Sequence, residues 1–285
     1  GTTDNPLIVN ISSDVTENIV IPAGKDVIMQ FSNGATLRND PNVAAHTITV
    51  SKDASLIITG NGTIDNVTHA KTPIMNNGGL TIKGQIVVTR SKEAGYDSDH
   101  SGGNSYYTLV NHGHINIYNG TFLNNGKFSS LMDNGYSNAK SGKEENGYVE
   151  SVNYEHPSAL ILGGTFLGGI NAIKNDDNGL LTIKGGTFTG DLCGLLTWNI
   201  AVITGGTFTG TEMYGISSCG DGGDINRGRL SIRDCIAIGK VKSLNVETPG
   251  KPAISGGLFS TDISSQLPSD YQAVKFGDKW AVTKK

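Results

Sequence analysis

Between Leu181 and Gly190 apolar and polar side chains alternate: Leu181 and Ile183 are apolar, Thr182 and Lys184 polar, and Gly185-Gly186 then lead into Thr187-Phe188-Thr189-Gly190. The pattern returns at Ile203-Thr204-Gly205-Gly206-Thr207-Phe208-Thr209-Gly210. It returns again at Ile161-Leu162-Gly163-Gly164-Thr165-Phe166 and at Ile115-Asn116-Ile117-Tyr118-Asn119-Gly120-Thr121-Phe122. A period of two is that of a strand with one buried and one wet face, because successive side chains leave opposite sides of the backbone. The glycine pair lets the backbone take positive φ at a corner between two strands. The phenylalanine opens the next inward row.

Spacing turns these strands into a fold. Phe166 and Phe188 are 22 positions apart, Phe188 and Phe208 are 20, and Phe122 and Phe166 are 44, which reads as two coils. Weaker copies occur around Ile58 to Ile64, Ile82 to Ile86, Leu230 to Ile236 and Ile254 to Phe259, with Ile64 and Ile86 again 22 apart. Self-similarity at this period marks a solenoid, and strand periodicity excludes the helical kinds. Parallel crossovers are right-handed in nearly all sheets, so the expectation is an all-β, right-handed parallel β-helix of about nine coils. Phe166, Phe188 and Phe208 should then stack along one axis. The whole chain, 1–285, is expected to form one domain, because each coil buries its apolar side only on its neighbours. Residues 1–36 read as an N-terminal cap and first coil, and 260–285 as a C-terminal cap. Residues 91–107 and 124–158 break the period and read as insertions.

Composition sharpens this. Thirty-nine glycines among 285 residues fit a chain that turns a corner every few positions. A net charge of −4, with both signs interspersed, offers no positive field for phosphates, so no nucleic-acid partner is expected. No apolar run is long enough to cross a bilayer, so no direct membrane insertion is expected. The chain opens at Gly1 without a secretory leader, and the expectation is an extracellular or cell-surface chain whose leader or anchor is absent from this sequence. Cys193, Cys219 and Cys235 cannot all pair with one another; Cys193 reads as a small buried hydrophobe and Cys219, beside Gly220 and Asp221, as the more exposed.

The opening Asp14-Val15-Thr16-Glu17-Asn18-Ile19-Val20-Ile21-Pro22-Ala23-Gly24-Lys25, the Gly-Gly-Thr-Phe copies and the closing Ile254-Ser255-Gly256-Gly257-Leu258-Phe259-Ser260 carry a resemblance. On these the sequence resembles the glycine-rich, pectate-lyase-like right-handed β-helix surface proteins of gut bacteria and their phages. The resemblance implies the fold. It implies no single activity, because such folds host lyases, hydrolases, adhesins and virion fibres.

Candidate chemistry lies outside the repeat. Hydrolases of the related polygalacturonase type use clustered aspartates, one to protonate the leaving oxygen and one to activate water. Asp176 and Asp177 are the first candidates, although Lys174-Asn175-Asp176-Asp177-Asn178-Gly179 also has the composition of a turn. Asp221 and Asp224, followed by Arg227, Arg229 and Arg233, form the other concentration of charge, without the arginine-proline pair that lyases of the resembling family carry. His112-Gly113-His114 lacks a third ligand at metal-site spacing, so neither metal nor cofactor is expected. Six of the nine tyrosines, Tyr96, Tyr106, Tyr107, Tyr136, Tyr148 and Tyr154, fall in the two insertions among Asn, Ser and Gly. Such rings stack on the apolar faces of sugars while neighbouring polar groups take the hydroxyls. The favoured expectation is a non-catalytic adhesin or glycan-binding module whose partner is a polysaccharide or a host or bacterial surface glycan. The alternatives are a polysaccharide lyase or glycoside hydrolase, and a phage tail or head fibre segment.

Overall fold

The computed structural model describes residues 1–92, 106–126, 128–136, 156–219, 230–247 and 252–285. It is a parallel β-helix in which each coil contributes a strand to each of three faces. The first face includes Gly79–Ile82, His114–Ile117, Ser158–Ile161, Leu180–Ile183 and Ala201–Ile203. The second includes Gln85–Thr89, Thr121–Asn124, Thr165–Gly168, Thr187–Gly190, Thr207–Gly210 and Ile236–Gly239. The third is a nine-stranded sheet running from Ile19–Ile21 to Lys242–Val246. No helix among the described residues is long and apolar enough to cross a membrane.

The alternation read from the sequence becomes the inside and outside of the rod. Leu181 and Ile183 are buried in register with Ala159 and Ile161 of one neighbouring coil, and with Ala201 and Ile203 of the other. On the second face Phe122, Phe166, Phe188 and Phe208 are in parallel register and fully buried. Their ring centroids are 4.5, 4.9 and 4.8 Å apart, the strand spacing itself, with planes within 25° of parallel. Val88 precedes this column, and Ala237 and Phe259 continue it.

The two glycines of the corner do different work. Gly186 has φ +111, a region L-residues with side chains avoid. Gly185 sits where an added Cβ would lie 2.8 Å from the carbonyl oxygen of Leu162 in the adjacent coil. One glycine lets the chain turn, and the other lets the next coil pass close by.

Two spacings come out differently from the sequence reading. The 44 residues from Phe122 to Phe166 are one coil, not two: the rings are direct neighbours, and the extra length falls in the 124–158 segment. Ile64 pairs with Val88, whereas Ile86 lies opposite Gly62, so the marker chosen for that weak copy is two residues out of register. Cys219, expected to be the more exposed thiol, is buried at 6% exposure.

The ends are finished differently. Leu7–Ile11 already pairs in parallel with the long Asp26–Arg38 strand. At the other end Leu258–Phe259 is met antiparallel by Lys279–Lys284, which forms a hairpin with Tyr271–Phe276. An antiparallel hairpin occupies the hydrogen-bonding edge that a further parallel coil would need.

The third face holds the feature the repeat did not announce. Asn76, Asn111, Asn134 and Asn175 point inward, one per coil, all with 0% exposure. Each amide Nδ2 donates to the next carbonyl Oδ1, at 2.7, 2.7 and 2.8 Å, and Asn175 donates to the Thr197 hydroxyl at 3.1 Å. The same amides reach main-chain carbonyls at the following corner, such as Ser158 from Asn111 and Leu180 from Asn134. A buried amide is costly unless its groups are paired, and here the stacking pairs them.

Replacing Phe188 with Ala removes the middle of the phenyl column and should cost about 3–5 kcal/mol in urea unfolding, with Phe188→Leu milder. Asn134→Ala leaves Asn111 without its acceptor partner and Asn175 without its donor, and should cost about 1–3 kcal/mol in the same measurement. A loss below a few tenths of a kcal/mol for either alanine variant would contradict the corresponding column.

Candidate functional site

The described parts of the two insertions border one stretch of the third face. The chain leaves the second face after Thr89 and enters the third at Leu109–Asn111, with Tyr106 and Tyr107 just before it. It leaves the third face after Met132–Asn134, with Tyr136 just beyond. The 91–107 and 124–158 segments therefore open at opposite edges of the same pair of neighbouring strands.

On these strands the outward positions stack as Val110, Asp133, Lys174 and Leu196. Asp133 is only 2% exposed although it faces away from the core, and its Oδ1 has no hydrogen-bond partner among the described residues. Asp176 and Asp177, from the corner after Asn171–Asn175, are also buried. Asp133 interacts electrostatically with Asp176, Lys174 and Asp177. Burial first, then the neighbouring charge of Asp176, holds the Asp133 carboxyl well above the usual carboxylate range; Lys174 opposes this and Asp177 adds to it. Lys174 forms an ion pair with Asp176.

The turn expected at Asn175 to Gly179 is present: the Gly179 N–H donates to the Asp176 carbonyl at 3.0 Å, and Asn178 has φ +61. It is more than a turn. The Asp177 N–H donates to Asp176 Oδ1 at 3.0 Å, and the Tyr136 N–H donates to the Asp177 carbonyl at 3.0 Å, tying this corner to the Tyr136 segment. The Tyr136 ring stacks on His112 with centroids 4.4 Å apart at 20°, and its hydroxyl donates to the His112 carbonyl at 3.3 Å. Burial lowers the pKa of His112.

At the opposite edge Tyr106 and Tyr107 meet edge to face at 5.3 Å. The Arg90 guanidinium lies 5.9 Å from the centre of the Tyr106 ring and donates to the Thr68 carbonyl at 2.9 Å. Burial, followed by the charge of Asp133, raises the Tyr106 hydroxyl's pKa, and Arg90 opposes the rise.

Of the residues singled out in the sequence, Asp176, Asp177, Tyr106, Tyr107 and Tyr136 are thus gathered around one pair of corners. Tyr96, Tyr148, Tyr154, Asp221 and Asp224 lie outside the described residues. His112 and His114 are not a dyad: His112 stacks on Tyr136, whereas His114 is exposed on the first face with Nδ1 2.8 Å from the Ser158 hydroxyl. Burial pushes the Cys193 and Cys235 thiols up to about 12, so neither supplies a thiolate at neutral pH. Among the described residues no group of three or more His, Cys, Asp or Glu side chains is placed to hold a metal ion.

Asp133 was missed because it sits inside an insertion, in Met132-Asp133-Asn134-Gly135, with no phenylalanine to mark the coil. A signal existed. Asn-Gly or Asn-x-Gly at Asn134, Asn111 and Asn76 marks the third-face corner of three successive coils, although in the next coil Asn175 is followed by glycine only at Gly179.

No protein-family model, curated protein or solved structure matches the chain.

The raised Asp133 pKa sets a pH dependence. Unfolded, this carboxyl ionises near its ordinary value; folded, it keeps its proton to higher pH, so stability falls as pH rises through the interval between the two values and then levels off. Asp133→Asn should remove that fall, matching the wild type near pH 3 and exceeding it at neutral and higher pH. Thermal melts of both proteins across this range check it, and parallel curves would refute the assignment.

Proposed function

We propose that the chain is an extracellular or cell-surface β-helix module that recognises a polysaccharide or surface glycan, without catalysis, at the third face between its two insertions. The observation that carries the reading is the arrangement of aromatic rings at both edges of one strand pair: Tyr106 and Tyr107 on one side, and the stacked Tyr136 and His112 on the other. All four are partly accessible, and they border polar side chains. A sugar ring offers an apolar face to such aromatics and hydroxyls to the groups between them. The likeness of the glycine-rich repeats to pectate-lyase-like surface proteins of gut bacteria supports the extracellular setting.

A second reading, glycoside hydrolysis, is favoured by one observation: Asp133 keeps its proton well above the ordinary carboxyl range beside Asp176 and Asp177. A protonated carboxyl next to further carboxyls is the pairing that glycosidic cleavage needs, the acid protonating the leaving oxygen and a carboxylate activating water.

Glycan-array screening should show binding to neutral or acidic polysaccharides, with Tyr106→Ala and Tyr136→Ala each weakening it about 10-fold or more, and Tyr118→Ala, at the exposed corner after His114–Ile117, leaving it unchanged. Absence of binding by the wild type, or equal loss from Tyr118→Ala, would refute the glycan site. Incubation of the bound polysaccharide should release no reducing ends. Release by wild type but not by Asp133→Asn would replace recognition with hydrolysis.

A further inference from the structure

Two corners of the third face interlock beneath one aromatic ring. Residues 134–136 leave the Met132–Asn134 strand, and residues 176–179 leave the Asn171–Asn175 strand of the next coil. The Asp176 N–H donates to the Asn134 carbonyl at 2.8 Å, and the Tyr136 N–H donates to the Asp177 carbonyl at 3.0 Å. Gly135 comes so close that an added Cβ would stand 2.6 Å from the Asp177 carbonyl oxygen. This junction carries the Tyr136 ring that stacks on His112.

Beside the junction sits a carboxyl in a costly place. Asp133, immediately before Asn134, is 2% exposed, and its Oδ1 has no hydrogen-bond partner among the described residues. The charged or titratable groups that face it, among the described residues, come from every neighbouring element. Lys174 is adjacent in register, Asp176 and Asp177 come from the next corner, and Tyr106, itself facing Arg90, comes from the approach to Leu109–Asn111. On that strand the neighbouring outward position is the apolar Val110. One ammonium thus stands against three carboxyl groups, and it is already in an ion pair with Asp176. His112, under the Tyr136 ring, has its pKa lowered by burial and gains charge only on the acid side.

We propose that Asp133 is a proton-operated latch on this aromatic edge: with its proton the two corners stay interlocked and Tyr136 stays on His112, and without it the corners part and the edge is lost. Ionised, Asp133 places a further negative charge beside Asp176 and Asp177, where water is excluded and the repulsion is little screened. Relief comes from turning the carboxylate out to water. The main-chain bonds of the junction stand in the way, and they are remade to water when the corner opens, so opening here costs far less than unfolding a coil. That the latch regulates glycan binding rests on recognition at this face; the latch itself does not.

The direction follows from the two proton affinities. In the open corner Asp133 meets water and ionises near its ordinary value, whereas in the closed corner burial and Asp176 hold the proton on to higher pH. Below both values the closed form keeps its full advantage. Through the interval between them the ratio of closed to open falls by up to about tenfold per pH unit, and above the higher value it levels off. Glycan affinity, which needs Tyr136 in place, is then highest in acid and declines as the open form becomes a substantial fraction.

Hydrogen exchange of the whole chain, read by mass spectrometry from about pH 4 to about pH 9 and corrected for the intrinsic exchange rate, tests the latch. Protection of the Tyr136 and Asp176 amides should fall by up to about tenfold per pH unit over the interval, while that of the Thr187–Gly190 strand stays constant. Asp133→Asn should keep protection level, and Asp176→Asn, which removes the largest neighbouring charge, should shrink the fall. Affinity for the polysaccharide found on the array should decline over the same interval in the wild type and stay level in Asp133→Asn. Level protection in the wild type, an equal fall in Asp133→Asn, or affinity indifferent to pH while protection falls would overturn the proposal. A chain that binds no glycan, yet loses protection in this way only when Asp133 is present, would refute recognition and sustain the latch.

Discussion

The structure depends on one constraint: each inward side chain must find, one strand spacing above and below, a side chain it can stack on. The phenyl column meets it with rings 4.5 to 4.9 Å apart, and the asparagine column with amide bonds of 2.7 to 2.8 Å. The two columns meet it by opposite chemistry. Rings gain from contact and from leaving water, so a column of them tolerates Val88 at one end and Ala237 within it. Amides gain only if each donor meets an acceptor, so that column ends on Thr197, whose hydroxyl accepts the last amide and donates to the Asn199 carbonyl at 2.8 Å.

Once the columns fix the register, the outer surface follows without further choice. A parallel coil repeats its outward positions at the same heights as its inward ones, so a rod with ordered columns inside has ordered rows outside. On the second face this yields an uncharged strip. On the third it brings Asp133 and Lys174 into adjacent outward positions although 41 residues separate them. The insertions open beside this place, and burial there, rather than any one ion pair, gives Asp133 its altered proton affinity. Burying a carboxyl whose Oδ1 has no hydrogen-bond partner among the described residues costs the fold stability, which the burial of its neighbours must offset.

How much of this could be read from the sequence depended on which face a residue belonged to. The first two faces follow the rule that apolar residues point inward, so Leu181-Thr182-Ile183 and Thr187-Phe188-Thr189 announced their strands and their glycine corner. The third face breaks that rule, because Asn111, Asn134 and Asn175 are polar and buried; alternation in residue type no longer reports inside and outside. The turn composition of Asn175 to Gly179 was legible, and the burial of its carboxyls was not, since burial depends on coils remote in sequence. The 44-residue interval misled for a related reason: period counts residues, whereas stacking counts coils, and an insertion adds residues without adding a coil.

Distances between spin labels on the second face test the central claim most directly. Labels at Thr63 and Ile236 lie six strand steps apart through the paired register, which predicts a separation of about 29 Å. Labels at Thr121 and Ile236 lie four steps apart, which predicts about 19 Å. Measured separations that shrink by two strand spacings between these pairs would confirm one coil per step, the 44-residue interval included. A Thr121 to Ile236 distance longer by one further spacing, or separations that follow residue number, would contradict the in-register columns on which the account rests.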